Sequence, residues 1–226
     1  MSEQTTIVAL LFPQVTQLDL TGPAQVFAKL PNTRVVLAWH TATPVQTDCG
    51  WSIVATHTLQ DCPQADVLFV PGGQGAFDLF DDQVVLGFLR RQAAAARWVT
   101  SVCTGSFLLA AAGLLTGRRA TSHWASVDML AEFGVTPVHD RVVFDGNVVT
   151  GAGVTSGIDF ALELAAAEHG EQVARSVQLG LEYDPAPPYP DGSARRGDPV
   201  AVAQGRERAR EARLARIKSA AARQHP

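Results

Sequence analysis

Cysteine is scarce in this sequence of 226 residues, which contains only Cys49, Cys62 and Cys103. The three thiols are separated by 13 and 41 positions. They therefore fit neither a C-x-x-C metal pair nor the even count of a disulfide framework. We expect a reducing, cytoplasmic environment and no structural metal ion.

Long hydrophobic runs are also missing. The longest covers residues 107–115, which is 9 positions, whereas a membrane helix needs ~18. The first apolar run, residues 7–12, is too short for the core of a signal peptide. With 19 glycines and 13 prolines, the composition excludes collagen-like and disordered chains. The sequence predicts a soluble, unexported protein with no membrane partner.

Neither sign of charge dominates the whole chain, because it contains 18 Lys and Arg residues and 22 Asp and Glu residues, which gives a net charge of −4. This balance gives no reason to expect a nucleic-acid partner. From Arg195 onward, however, nine basic and three acidic residues give +6, which leaves about −10 for the rest. The tail is therefore a separate block of charge.

Short, continuous apolar runs of β type alternate with helical stretches along the chain. Runs that are apolar on both faces are typical of a parallel sheet covered by helices, so the sequence predicts an α/β fold. Two hairpins, 45–56 and 141–149, are expected at the edge of the sheet. The predicted strands are 7–12, 34–39, 67–70, 98–102 and 148–150, and the predicted helices are 23–30, 82–95, 106–112, 123–133, 155–169 and 172–179.

A proline-rich segment, D-P-A-P-P-Y-P-D-G, follows Tyr183 and predicts an extended linker. This divides the chain into a domain over residues 1–184 and a tail over 185–226. Residues 199–223 predict a basic helix with a thin apolar stripe. We expect this helix to pack on the domain or on a partner subunit. A nucleic-acid arm is the less favoured alternative, since a DNA-reading helix normally needs a second, supporting helix.

The segment W-V-T-S-V-C-T-G-S predicts a nucleophile elbow at Cys103, where a strand turns directly into a helix. Ser101 and Gly105 provide the small neighbours that so sharp a turn needs. We expect the helix N-terminus to lower the pKa of the Cys103 thiol and the Thr104 amide to point at a developing anion. The alternative is that Cys103 is an ordinary core residue.

Two further strand ends carry groups suited to chemistry. V-P-G-G at 70–73 predicts a loop with bare amides, and the amide of Gly73 is a candidate second oxyanion donor, although any strand-ending turn has this composition. Asp19, between Leu18 and Leu20, is expected just before a helix that has Pro23 in its first turn. It is either a turn or capping carboxylate, or a buried acid whose raised pKa lets it carry a proton near neutral pH. Parallel sheets place such sites at the carboxyl ends of their strands.

Weaker candidates lie further along the chain. His123 and Trp124 are expected to open a helix, with His123 either a partner of Cys103 or a structurally bonded histidine. Ala152, within G-A-G-V-T, is expected to pack closely against the elbow rather than to cradle a phosphate. Cys49 and Cys62 have no predicted role.

Five motifs together resemble the DJ/PfpI superfamily, and within it the isonitrile (isocyanide) hydratases, over nearly the whole chain. The resemblance implies a flavodoxin-like, class I glutamine-amidotransferase-like three-layer sandwich that forms a homodimer. The motifs are D-L-T-G-P at 19–23, V-P-G-G at 70–73, S-V-C-T-G-S at 101–106, T-S-H-W at 121–124 and T-G-A-G-V-T-S-G-I-D-F at 150–160.

The resemblance also implies a chemistry: Cys103 adds to an isocyanide, Asp19 handles the proton, and water releases an N-substituted formamide from a thioimidate. Backbone amides at Gly73 and Thr104 orient the intermediates, and no cofactor is needed. The expected apolar pocket is lined by four residues, Gly72, His123, Trp124 and Ala152.

Two departures from the resembled proteins matter. Thr104 follows the cysteine where peptidase-like members carry histidine, which argues against peptidase activity. Ala152 stands where the hydratases carry glycine, and its methyl group restricts movement of the helix behind the elbow. Two other functions stay open: a small-molecule-sensing domain like that of AraC-type regulators, and a glyoxalase or deglycase acting on α-oxoaldehydes. Oxidation of Cys103 is compatible with any of these.

Overall fold

The structure is a computed structural model that describes residues 4–224; the first three and last two positions of the predicted domain and tail lie outside this range. The strands are β1 (Thr5–Leu10), β2 (Thr33–Trp39), β3 (Pro44–Gln46), β4 (Ser52–Val54), β5 (His57–Thr58), β6 (Val67–Val70), β7 (Trp98–Val102), β8 (Arg119–Ala120), β9 (Thr136–Pro137), β10 (Val142–Asp145) and β11 (Val148–Gly151). The helices are α1 (Gln17–Phe27), α2 (Gly75–Asp78), α3 (Gln83–Ala95), α4 (Gly105–Ala111), a 3₁₀ helix (Val127–Phe133), α5 (Ser156–His169), α6 (Glu171–Gly180) and α7 (Pro199–Ala222).

Within residues 4–224, seven strands form one sheet in the order β10-β11-β7-β6-β1-β2-β5. All neighbours are parallel except β10, which runs antiparallel to β11. Helices α1, α5 and α6 pack together, while α2, α3, α4 and α7 form a second group with the 3₁₀ helix. The predicted flavodoxin-like α/β sandwich is confirmed. The central strands β1, β6 and β7 are buried over almost their whole length because helices cover both faces.

Helix α1 begins six residues earlier than predicted. Its first amide, that of Gln17, donates to the Asp48 carboxylate at 3.0 Å, so the cap comes from a turn far away in the sequence. Pro23 therefore lies inside the helix, not in its first turn, and its ring packs on α5 where a Cβ at Gly157 would come within 3.0 Å. As a result Asp19 lies in the first turn of α1.

Two other predictions are wrong. The hairpin of β3 and β4 forms its own two-stranded sheet rather than an edge. Backbone hydrogen bonds with Gln14 and Val15 hold it over the loop after β1, because that loop offers free amide and carbonyl groups. The segment from His123 to Ser126 is a turn, and a 3₁₀ helix follows it. The second hairpin, β10 with β11, does lie at the edge of the sheet.

The basic helix α7 follows the irregular segment 184–198 and lies on α2 and the 3₁₀ helix. The Asp198 side chain caps it by accepting the Ala201 amide at 2.9 Å. Its buried face consists of small and aliphatic side chains, at Ala209, Ile217, Ala220 and Ala221. Across residues 4–224, no helix is both long and apolar enough to cross a membrane.

Gly205 of α7 allows close contact with the domain. A Cβ built there would lie 2.5 Å from ring carbon Cη2 of Trp124, closer than carbon atoms approach. We expect Gly205→Ala to destabilise the protein by about 1–3 kcal/mol through this overlap. Gly87→Ala in α3, where only the end of Arg91 lies within 4 Å, should stabilise it by about 0.5–1 kcal/mol. Urea denaturation measures the free energy of unfolding of both variants. An equal increase in the two would show that α7 does not pack on Trp124.

Candidate active site

Cys103 is the residue at which β7 turns into α4, and its φ of 55° lies in the left-handed region. That conformation is unfavourable for a side chain other than glycine, so the surroundings must hold it. Its amide donates to the Gly151 and Ala152 carbonyls at 3.0 and 2.7 Å. Its carbonyl accepts hydroxyl hydrogen bonds from Ser122 at 2.9 Å and Ser106 at 3.2 Å. Both backbone polar groups of Cys103 are thus fixed.

The tightness of this turn explains the small residue after it. A Cβ at Gly105 would lie 2.2 Å from the Val70 carbonyl oxygen and 2.6 Å from that of Pro71. Only glycine allows α4 to start so close to the end of β6. The predicted nucleophile elbow is therefore confirmed in its geometry.

Asp19 approaches the elbow from α1 and is fully buried. A Cβ built on Gly72 would lie 2.7 Å from Asp19 Oδ2, 2.8 Å from Cys103 Cβ and 2.6 Å from the Thr104 amide nitrogen. The acid, the thiol-bearing residue and the amide therefore converge on one point beside Gly72. Within the described chain, neither carboxyl oxygen of Asp19 has a partner in hydrogen-bond geometry. A buried polar group without a partner is costly and marks a functional position.

Burial controls the protonation of this pair. It raises the pKa of Asp19 to about 7, against the smaller opposing effects of Cys103 and the Gly72 amide. Burial also raises the pKa of the Cys103 thiol, and the neighbouring Asp19 carboxyl adds to the rise. The predicted lowering of that pKa is wrong, because desolvation outweighs the Thr104 amide at the helix N-terminus. Two negative charges in this space would repel, so the pair carries at most one near neutral pH.

The amide of Gly73 is not the predicted oxyanion donor. It donates to the Thr104 hydroxyl at 2.9 Å, and that hydroxyl donates to the Gly73 carbonyl at 3.0 Å. This double contact fastens the loop after β6 to the elbow. The Thr104 backbone amide faces the Cys103 side chain, where it favours the thiolate.

His123, Trp124 and Ala152, three of the four predicted pocket residues, line a cavity of about 720 Å³ together with Ser122. Gly72, the fourth, does not line it and instead faces Asp19 and Cys103. Ser122 and Ala152 connect this cavity to the elbow, since both line the cavity and both form hydrogen bonds with the Cys103 backbone.

His123 has a structural contact. Its Nδ1 accepts the Ala125 amide at 3.3 Å, and in the part of the chain that is described no hydrogen bond joins its ring to Cys103. Burial, with a contribution from the nearby Arg213 charge, lowers the pKa of His123 to about 4. The ring is therefore neutral at physiological pH. Between residues 4 and 224, no group of three or more His, Cys, Asp and Glu side chains could hold a metal ion.

Sequence reasoning missed Arg213, which reaches this region from α7. Its guanidinium contacts Ser126 and Gln74, one on each side of the site. The signal was its spacing of four residues from both Ala209 and Ile217, which places all three on one helix face.

Comparison with known proteins adds four findings. The model of the DJ-1/PfpI family matches residues 5–167. The isonitrile hydratase of Pseudomonas putida is 54% identical over 200 residues, 88% of each chain. An HTH-type transcriptional regulator of Pseudomonas aeruginosa, CdhR, is 34% identical over 64% of this chain and 44% of its own length. The crystal structure of a ThiJ/PfpI family protein from Pseudomonas syringae superposes with a TM-score of 0.92 at 39% identity, covering 98% of this chain and 91% of that one.

The raised pKa of Asp19 makes stability depend on pH. Between the ordinary pKa of Asp, about 4, and about 7, the folded protein keeps a proton that the unfolded chain has released. The contribution of Asp19 to stability therefore falls as pH rises through this window. Asp19→Asn stays neutral, so we expect its free energy of unfolding, relative to wild type, to rise by about 2 kcal/mol from about pH 5 to about pH 8.

Urea denaturation of both proteins at the two pH values measures this difference, in which the titrations of all other groups cancel. A constant difference between wild type and Asp19→Asn would mean that the carboxyl titrates as an ordinary exposed acid.

Proposed function

The chain belongs to the DJ-1/PfpI family, and from this premise we propose that it is an isonitrile hydratase, which adds water to isocyanides to form N-substituted formamides. The observation that carries the proposal is the convergence of Asp19, Cys103 and the Thr104 amide beside Gly72. The 54% identity to the Pseudomonas putida hydratase over 88% of both chains supports it.

The first step joins the Cys103 sulfur to the terminal carbon of the isocyanide. As the sulfur attacks, the Cys103 thiol passes its proton to the Asp19 carboxylate, and Asp19 then delivers this proton to the same carbon. The product is a thioimidate, R–N=CH–S–Cys103. A buried acid with a pKa near 7 is suited to this transfer, because it accepts a proton and releases it readily near neutral pH.

The second step hydrolyses the thioimidate. Asp19, now a carboxylate, takes a proton from water, whose oxygen attacks the thioimidate carbon, and passes this proton to the nitrogen. The resulting tetrahedral adduct expels the Cys103 thiolate and gives its hydroxyl proton to Asp19, which leaves R–NH–CHO. The Thr104 amide, which faces the sulfur, stabilises the negative charge that returns to it. The sum is one isocyanide and one water converted to one formamide, with no cofactor.

We assign the catalytic site to residues 1–184, with 185–226 as linker and helix. The cavity beside His123, Trp124 and Ala152 also includes Arg141, Arg195 and Arg206 and is lined by neither Cys103 nor Asp19, so an apolar pocket for the hydrocarbon group of the substrate stays a prediction from the sequence. Cytoplasmic location and the absence of a nucleic-acid partner stay predictions from the sequence.

The decisive measurement is formamide formation from cyclohexyl isocyanide by wild type and by Cys103→Ala. We expect the variant to lose at least about a thousandfold in kcat/KM, since it lacks the attacking atom. Asp19→Asn should lose activity at unchanged fold. Cys49→Ala, which removes an exposed cysteine, is the matched control and should keep full activity.

Formamide formation that survives Cys103→Ala would contradict the mechanism. A folded wild type that does not turn over isocyanides but converts methylglyoxal would favour the glyoxalase alternative. One that binds small ligands without converting any would favour the sensing alternative.

We also propose that the protein is a homodimer that uses the β3–β4 hairpin. Trp51 and Val54, three positions apart on this hairpin, are 53% and 50% exposed, and grouped exposed apolar side chains mark interaction surfaces. Trp51→Lys is expected to shift the sedimentation coefficient toward that of a monomer. Val84→Lys, at an equally exposed valine on α3, should leave it unchanged. A wild type that sediments as a monomer would refute the homodimer.

A further inference from the structure

Arg213 is a charged residue in the middle of the buried face of α7. Ala209 and Ile217, four positions away on either side, are buried against the domain, and the helical repeat puts Arg213 between them. Placing a guanidinium in such a position costs free energy unless hydrogen bonds and an opposite charge compensate it.

Hydrogen bonds from Arg213 reach both segments that form the site. Its Nη1 donates to Ser126 Oγ at 2.6 Å and its Nη2 to Gln74 Oε1 at 3.3 Å. Gln74 follows the glycine that is fastened to Thr104, and Ser126 ends the turn that begins after Ser122, the residue holding the Cys103 carbonyl. The guanidinium carbon also lies 4.9 Å from the centre of the Phe77 ring.

The positive charge of Arg213 has no carboxylate partner among residues 4–224. Its Nε is buried and without any hydrogen-bond partner there. The other arginines near this end of α7 differ, since Arg216 pairs with Asp78 and Arg223 with Asp81. An unpaired, half-buried cation beside the site is therefore placed to favour the charged form of the Asp19–Cys103 pair.

We propose that Arg213 is a positioning residue whose charge stabilises the thiolate of Cys103, so that α7 supports a catalytic site built from residues 1–184. The inference rests on the proposed role of Cys103 as nucleophile. The guanidinium also joins the loop after β6 to the turn before the 3₁₀ helix, which keeps the charge at a fixed place.

The charged groups that act on Cys103 are few. Burial raises the pKa of its thiol, Asp19 on α1 adds to the rise, and Arg213 on α7 opposes it. Asp48, in the turn of the hairpin, acts on Asp19 and favours its protonated form. His123 is neutral near pH 7 because its pKa is about 4. Arg213 is thus the positive side chain whose charge opposes the rise in the pKa of the Cys103 thiol that burial and Asp19 cause.

The test follows ionisation of Cys103 through the ultraviolet absorbance of its thiolate across a pH series, in a Cys49→Ala, Cys62→Ala background. Two neutral replacements, Arg213→Gln and Arg213→Met, are expected to move the midpoint upward by about one pH unit or more. Arg213→Lys, which keeps the charge, should move it by less than half as much. Arg210→Gln, at an exposed arginine on the same helix, should leave it unchanged.

Kinetics provide a second readout. In Arg213→Gln and Arg213→Met, kcat/KM for cyclohexyl isocyanide should fall about tenfold near neutral pH, whereas Arg213→Lys should lose less than half as much on a logarithmic scale. Arg213→Met remains informative if the Gln variant does not fold, because apolar replacement of a buried charge is often tolerated. Folded neutral variants with the wild-type midpoint would overturn the proposal and leave Arg213 a purely structural residue.

The titration separates this inference from the proposed function, since it needs no substrate. A shifted midpoint in a protein that does not hydrate isocyanides would uphold the role of Arg213 and refute the hydratase. Hydratase activity with an unshifted midpoint would uphold the hydratase and refute the role of Arg213.

Discussion

The architecture of the site depends on the left-handed backbone of Cys103. A residue with a side chain keeps that conformation only when contacts with its surroundings stabilise it by more than the conformation costs. Here three separate segments provide such contacts. The loop after β11 accepts its amide, Ser122 and Ser106 donate to its carbonyl, and Gly105 lets the end of β6 approach directly. The elbow, the end of β6 and the end of β11 belong to adjacent strands of the parallel sheet, so the fold itself brings them to one edge, whereas Ser122 follows β8 of a separate two-stranded sheet.

The close packing that stabilises the elbow also buries it from solvent. Asp19 and Cys103 are both buried, and the pKa values of both are raised by that burial. Burial disfavours ionisation of both groups, so the pair carries at most one negative charge near neutral pH. A substrate whose single carbon must receive first a sulfur atom and then a proton needs a pair of this kind. Desolvation thus links the packing of the fold to the chemistry proposed for it.

The features that were predictable from sequence are those encoded locally. Strands 67–70 and 98–102 match the structure residue for residue, since their apolar runs end at clear breaks, and the elbow follows from its small neighbours. The start of α1 was not predictable, because its cap is Asp48, 31 positions away. The engagement of the Gly73 amide by Thr104 spans the same sequence distance. The pKa of the Cys103 thiol depends on burial, which only the assembled fold determines.

The tail helix α7 lies beyond the part of the chain that the family model matches, which ends at residue 167. A helix selected only to cover the domain would have an uninterrupted apolar face, whereas α7 places Arg213 at its centre and leaves Nε unpaired. The nucleophile and acid thus come from the shared fold, while the balancing charge comes from the extension. This division allows the ionisation of the pair to be tuned through α7 without altering the strained elbow, where almost any change would disturb the backbone.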